Sequence, residues 1–457
     1  MPDFESDSDN EFVITTGLGD KQIQSKNHAG GDMSESVYKE MWENLNLDIP
    51  AHDGLLEVLG KFYGDIYLSQ QGRLKGAEYL DFVLSEVHGL RIKEIMDQKA
   101  QGKKVVGTFC VFVPEELTLA ADAIQVGLCA GAEAGTEAAE ALVPRNTCAL
   151  IKSFVGFKLA RICPFTESCD MIVGETTCDG KKKTYEAFGD LVNMHVMEVP
   201  QQKNATDRDM WKAEVLRYKD ALEKLTGNTI TTEKLRDAIR IVNEKRRALQ
   251  RLNELRKATP APISGRDALL INQISFYDDP VRFTRKINEL CDELEARIAE
   301  KQGVAPEGTP RLMLSGCPMA VPNWKLPYII ESSGAVVVGE ESCIGTRNSR
   351  DLVVDEGDSL ESMLDAIADR YMKIDCACFT PNTEREDNVE TMAKDLDVDG
   401  VIHYALMFCQ PYAHEAFKID KTLSEAGVPM LAIETDYSME DVEQLKTRVE
   451  AFVEMIK

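Results

Sequence analysis

Two stretches of the chain alternate short apolar runs with helical periodicity, and about a hundred residues of mostly charged helix stand between them. In the first stretch the runs are VVGTFCVFV (105–113), DMIVGE (170–175) and MHVMEV (194–199), with helical stretches such as KKTYEAFGDL between. In the second they are RLMLSG, AVVVGE, VDGVIHYAL and VPMLAIET, spaced by LESMLDAIADRYMK and followed by MEDVEQLKTRVEAFVEMIK. Continuous apolar runs of strand length, as opposed to alternating ones, suit strands buried on both faces, and helices between them supply the crossovers of a parallel sheet. The fold class expected is α/β: two Rossmann-like parallel-sheet lobes, 103–204 and 303–457, joined by a helical segment, 205–302. GVAPEGTP (303–310), rich in Gly and Pro, opens the second lobe as a linker. Residues 35–102 read as an N-terminal helical region, and the polar, acidic residues 1–34 as a disordered tail.

At 457 residues the chain exceeds one ordinary core. Its net charge of −26 argues against nucleic acid or an anionic membrane surface as the main partner, since both are polyanions. No apolar run has the length of a membrane span, and the amino terminus is acidic where a signal peptide needs a basic start, so a cytoplasmic location is expected. In that reducing compartment the 12 cysteines are poor candidates for disulfides, and those that recur on turns point to metal binding or catalysis.

Residues 173–180 read VGETTCDG and residues 338–345 read VGEESCIG. Each has an apolar lead, Gly-Glu, a cysteine four residues after the glycine, and a closing glycine. Ligand sites in open parallel sheets gather beyond the carboxyl ends of the strands, and Cys178, Cys317, Cys343 and Cys409 all follow apolar runs. The Cys376/Cys378 pair sits in IDCACFTPN, and Cys148 in PRNTCALIKS lies at the start of a helix, where backbone N–H groups stabilise a thiolate. Cys110 within a strand, Cys129, Cys169 and helix-borne Cys291 read as small buried hydrophobes. Cys163 in ICPF echoes the Cys317-Pro318 step and stays open. No CxxC pair occurs, which disfavours a zinc ribbon or ferredoxin-type cluster. GETTCDGKKKT is not a phosphate-binding P-loop: five residues separate Gly174 from Gly180, and Lys182 stands where Ser or Thr is needed. No nucleotide is expected to bind this chain.

ETTCDGKKKTYE (175–186), the CPF upstream of it and the closing IETDYSMEDVEQLKTRVEAF (433–452) resemble the 2-hydroxyacyl-CoA dehydratase and benzoyl-CoA reductase family over residues 40–457. The resemblance implies a cysteine-bound iron–sulfur cluster, reduced by a separate iron–sulfur activator ATPase (archerase). It maps the family's cluster cysteines onto Cys148, Cys178 and Cys409. SGCPMAVPNWK, EESCIGTR and DCACFTPN add more, a set similar to the double-cubane cluster proteins. That branch implies a homodimer with an [8Fe–9S] cluster, two [4Fe–4S] cubanes bridged by sulfide. Cys148, Cys178 and Cys409 would hold one cubane; Cys317, Cys343 and one of Cys376 or Cys378 the other.

The function expected is an ATP-dependent iron–sulfur reductase component. It takes electrons from the activator in a transient complex and reduces small unsaturated molecules, of which the resemblance implies acetylene, azide or hydrazine. Candidate groups around the cluster are His403, His414, Glu175, Glu340 and Arg347. The alternatives are a dehydratase or acyl-CoA reductase subunit with a single [4Fe–4S] cluster, and an electron carrier without substrate chemistry.

Overall fold

The computed structural model describes residues 34–354 and 357–457. The expected disordered tail, 1–34, lies outside the described residues apart from its last position. Among the described residues, eight strands form two separate four-stranded sheets, both wholly parallel. The first contains β1 (Val105–Thr108), β2 (Ile124–Gly127), β3 (Met171–Glu175) and β4 (Met194–Met197), in the order β2-β1-β3-β4. The second contains β5 (Arg311–Gly316), β6 (Val336–Glu341), β7 (Gly400–Leu406) and β8 (Met430–Thr435), in the order β6-β5-β7-β8. The two orders are the same permutation.

The apolar runs become strands because helices cover both sheet faces. Every residue of β1, β3, β5, β6 and β7 is buried, while the edge strands β4 and β8 are partly open. One strand, β2, escaped the sequence reading. It is four residues long, contains Gln125, and sits among Ala, Gly and Cys, all weak strand signals. The apolar run at 105–113 is longer than its strand. β1 stops at Thr108, and Pro114 caps a new helix at Glu115, so Val111, Phe112 and Val113 are buried by a turn packed into the core.

Four helices follow the first lobe: Ala205–Thr226, Thr232–Leu255, Gly265–Ile274 and Pro280–Ala299. Each is capped by a side chain that accepts backbone N–H bonds: Asn204, Thr231, Ser264 and Asp279. The second of them is the spine between the lobes. Arg246 Nη1 donates to Glu116 of the first lobe at 2.5 Å and Nη2 to Tyr371 of the second at 3.1 Å; Tyr371 closes the triangle by donating to Glu116 at 2.8 Å. Just beyond the helix end, Arg256 makes a two-point bond to Glu340 at 2.5 and 2.7 Å. All five side chains are buried.

Ahead of β1, the helices Ser34–Asn44, Ile49–Tyr63, Ala77–Ser85 and Leu90–Ala100 pack across both lobes. Phe62, Tyr63 and Tyr67 surround Trp324 at ring separations of 5.9, 5.7 and 5.0 Å. His52 Nε2 meets His88 Nδ1 at 3.1 Å in a buried pair. Burial, and the neighbouring His52, push the His88 pKa down to about 3. An unfolded histidine titrates near 6.5. Between those values the unfolded chain binds a proton that the folded chain refuses, so the contribution is whole above about pH 6.5 and lost as pH falls. Stability should therefore drop by ~1.4 kcal/mol per pH unit for this residue below pH 6.5. Urea midpoints measured from pH 7 to pH 5 should show a shallower slope in His88→Asn than in the wild type.

Candidate functional site

The carboxyl ends of the two sheets face one cavity of about 110 Å³, and cysteines line it from both sides. Their positions repeat between the lobes. After the first strand of each sheet come Cys110 and Cys317; after the second, Cys129 and Cys343; after the third, Cys178 and Cys409. Cys148 and Cys376 complete the lining set. The VGE turns at Cys178 and Cys343 are thus not topological counterparts: β3 is an inner strand and β6 an edge strand. They bring their cysteines to the same cavity from different sheet positions.

Local backbone holds these thiols. Cys148, Cys178 and Cys409 are the N-cap residues of Ala149–Leu159, Asp179–Phe188 and Gln410–Glu425, where unpaired N–H groups favour a thiolate. Cys178 Sγ accepts from Lys181 N at 3.4 Å, and Cys317 Sγ accepts from Leu406 N at 3.4 Å. The thiols fall into neighbourhoods. Cys409 lies beside both Cys148 and Cys317; Cys343 lies beside Cys110, and Cys376 beside Cys378. Cys178 feels both Cys148 and Cys376.

Electrostatics separates the partners. Cys343 is held down to about 6, first by the Cys110 thiol that donates to it and then by Arg347. The Cys378 thiol likewise lowers Cys376. Cys110 is correspondingly pushed well up, and burial raises Cys129 to about 12. Among the described residues, no group of three or more His, Cys, Asp or Glu side chains could hold a single metal ion. A cavity walled by thiols spread over two lobes suits instead a multi-atom group with soft-ligand preference, and iron–sulfur clusters are such groups.

Arg347 is the hub behind the Cys343 turn. It is 1% exposed. Its Nε donates to Asp375 at 2.9 Å, Nη1 to Tyr412 Oη at 2.6 Å and to Cys343 Sγ at 3.6 Å, and Nη2 pairs with Glu341. Arg385 adds bonds to Glu341 at 3.0 Å and Ser315 at 3.1 Å, and an ion pair with Glu415. Asp375 precedes Cys376, whose carbonyl accepts from Asn382 at 3.1 Å. The network fixes the two cysteine loops against each other.

The other sequence candidates are scattered. Glu175 is fully buried, ion-paired with Lys181 and 3.3 Å from Tyr185 Oη; Lys181 lines the cavity. His414 is exposed and lines an open cleft of about 1240 Å³, which borders the cavity at Cys148, Cys178 and Cys409 and also contains Cys378. Glu340 is turned away and held by Arg256, because side chains alternate along β6 and Glu341 takes the network side. His403 is buried on β7, 3.2 Å from Tyr412 O, with its pKa lowered to about 4 by burial; it does not line the cavity. Sequence reasoning set aside Cys110 and Cys129, and it missed Lys181, Glu341 and Tyr412. The signal for Cys129 was the unread strand β2; for Cys110 it was the proline that ends the run.

Residues 110–456 match the family model for 2-hydroxyglutaryl-CoA dehydratase, D-component. The chain belongs to this family. It is 39% identical over 378 residues to the "Putative dehydratase subunit YjiM" of Escherichia coli (strain K12), covering 81% of this chain and 96% of that protein. It is 27% identical to the (R)-phenyllactyl-CoA dehydratase beta subunit of Clostridium sporogenes, covering 80% and 95%. To the (R)-2-hydroxyglutaryl-CoA dehydratase beta subunit of Acidaminococcus fermentans it is 25% identical, covering 78% and 94%. The family match begins at Cys110 and takes in both sheets beyond β1, with every cysteine of the cavity.

Removing Arg347 takes one buried cation from both Glu341 and Asp375, which keep Arg385 and Arg350 respectively as their remaining partners. Arg347→Met should lower stability by about 3–5 kcal/mol, measured by denaturant unfolding of the iron-free protein. Arg208→Ala, which breaks a surface pair with Asp369, should cost no more than about 1 kcal/mol.

Proposed function

We propose that this family member is an iron–sulfur reductase component, holding a double-cubane [8Fe–9S] cluster between its lobes. The observation that carries the reading is the convergence of eight cysteines on one cavity, more than a single [4Fe–4S] cluster uses. Bound there, such a cluster would supply low-potential electrons to a small unsaturated molecule.

The residues present suit that group. Cys148, Cys317 and Cys409 form one ligand neighbourhood, and Cys343 with Cys376 or Cys378 forms the other. This moves Cys317 to the first group and leaves Cys178, which feels both Cys148 and Cys376, to complete the second. The side chains of Lys181 and Arg347 bring positive charge to a site that gathers negative thiolates. Phe109, Ile151, Phe276 and Ile344 keep the cavity wall apolar and limit water. The Lys181–Glu175–Tyr185 chain holds protons beside the cavity, and His414 lines the outer cleft. The P-loop-like GETTCDGKKKT is spent differently: Cys178 caps the helix, and Lys181 is buried against Glu175. ATP hydrolysis is therefore assigned to a separate activator ATPase in transient contact; a homodimer in the cytoplasm as the working unit is what the double-cubane resemblance implies.

One observation favours the alternative of a single-cluster dehydratase or acyl-CoA reductase subunit: the open cleft is large enough for an extended ligand such as a CoA thioester. Iron and sulfide per chain, after anaerobic purification, separate the two. The double cubane predicts about eight irons, and a single cluster about four. Cys178→Ser and Cys343→Ser should each lower iron per folded chain and alter the electronic spectrum, while Cys291→Ser, at a fully buried helical position, should keep full iron. A spectrum unchanged in Cys343→Ser would remove the second neighbourhood from the site.

ATP should support substrate reduction only when an activator is added. Turnover-matched ATP hydrolysis by the purified chain alone would overturn that division.

A further inference from the structure

Behind the thiol-lined cavity lies a smaller one of about 60 Å³. Gly127, Cys129, Tyr277 and Val321 line both, so they form the partition between them. The far wall comes from the N-terminal helices: Leu55 and Leu59 on Ile49–Tyr63, Val83 and Leu84 on Ala77–Ser85, and Val87 just beyond. All of these precede residue 110, where the family match begins. Leu55 and Leu59 are half-buried, whereas Val83, Leu84 and Val87 are buried. The small cavity therefore spans from the helix nearest solvent to the cysteine at the end of β2.

Its wall offers few free polar groups, with one ring nitrogen of His88 the exception. The Cys129 thiol donates to Phe109 O at 2.8 Å, Tyr277 Oη donates to Cys129 O at 3.2 Å, and His88 Nδ1 is taken by His52. The Cys163 thiol is tied to Thr166. A buried water needs two to four polar partners, and a cavity that cannot offer them stays dry and takes apolar guests.

We propose that this cavity is a binding site for a small, uncharged, apolar molecule of the size of a dissolved gas or an alkyne, held one partition away from the thiols and reaching them past Cys129 and Tyr277. The binding follows from the cavity itself; the delivery rests on the reductase reading above. A polar or ionic substrate would have no use for this route and would enter from the open cleft, where Lys418, His414 and Glu415 stand.

Xenon is the probe. Crystals of the full chain pressurised with xenon should show the atom between Cys129, Cys163, Val83 and Phe165. Ala130→Leu, which fills the cavity from its buried wall, should remove it. Leu59→Trp, at the half-buried end, serves if the first variant does not fold, and should reduce xenon occupancy. Ordered water or no xenon in the wild type would overturn the site, as would undiminished xenon in both variants. For delivery, iron-loaded protein with activator is assayed for acetylene and azide reduction. The variants should raise the KM for acetylene several-fold and leave that for azide unchanged; equal effects on both overturn the route. Failure of the two readings can be told apart. An iron count near four with xenon bound removes the reductase reading and keeps the site, while a count near eight without xenon does the reverse.

Discussion

Everything at the cleft depends on Arg246 and Arg256 reaching from one helical spine to acidic groups in different lobes. The cysteines sit on short turns beyond strand ends of two different sheets, and they share one cavity only while those sheets keep their relative position. Two sheets that share no strand must then be fixed relative to each other by something stiffer than apolar contact. The Arg246–Glu116–Tyr371 triangle joins the spine to both lobes, and Arg256–Glu340 pins the carboxyl end of β6. Charges buried this deeply contribute little net stability compared with apolar replacements, but each is costly to leave without its partner. They define one geometry rather than strengthen many.

A second demand is electrostatic. Thiols crowded in a dry cavity resist ionisation, and the raised pKa values of Cys110, Cys129 and Cys148 express that resistance. Three features work against it. Helix N-termini face Cys148, Cys178 and Cys409; Arg347 reaches Cys343; and neighbouring thiols donate to Cys343 and Cys376. The Arg347 hub therefore has two tasks, since the same guanidinium that orders the Glu341 and Asp375 carboxylates also lowers the thiol beside it.

The sequence showed the α/β alternation because both sheets are covered on both faces, which leaves continuous apolar runs that survive in one dimension. It showed Cys148, Cys178, Cys317, Cys343 and Cys409 as cavity residues because strand ends and helix starts can be read locally. It did not show Cys129, since β2 is too short and too polar to register, nor the true end of β1, where a buried turn imitates a strand. Glu340 was preferred to Glu341 because the pleat that sends one to Arg256 and the other to Arg347 is invisible without the strand's register. Pairings such as Arg385 with Glu415, thirty residues on, or Lys181 with Glu175 inside a false P-loop, are made only by the folded chain.

The repeated strand order has one more implication. Two like halves set face to face would enclose a chamber with equivalent openings at either end. Here the ends differ. One meets the broad cleft at Cys148, Cys178 and Cys409, among charged and hydroxyl groups; the other meets the leucines and valines of the leading helices at Cys129. The added helices have turned a near-symmetric chamber into one with a wet side and a dry side.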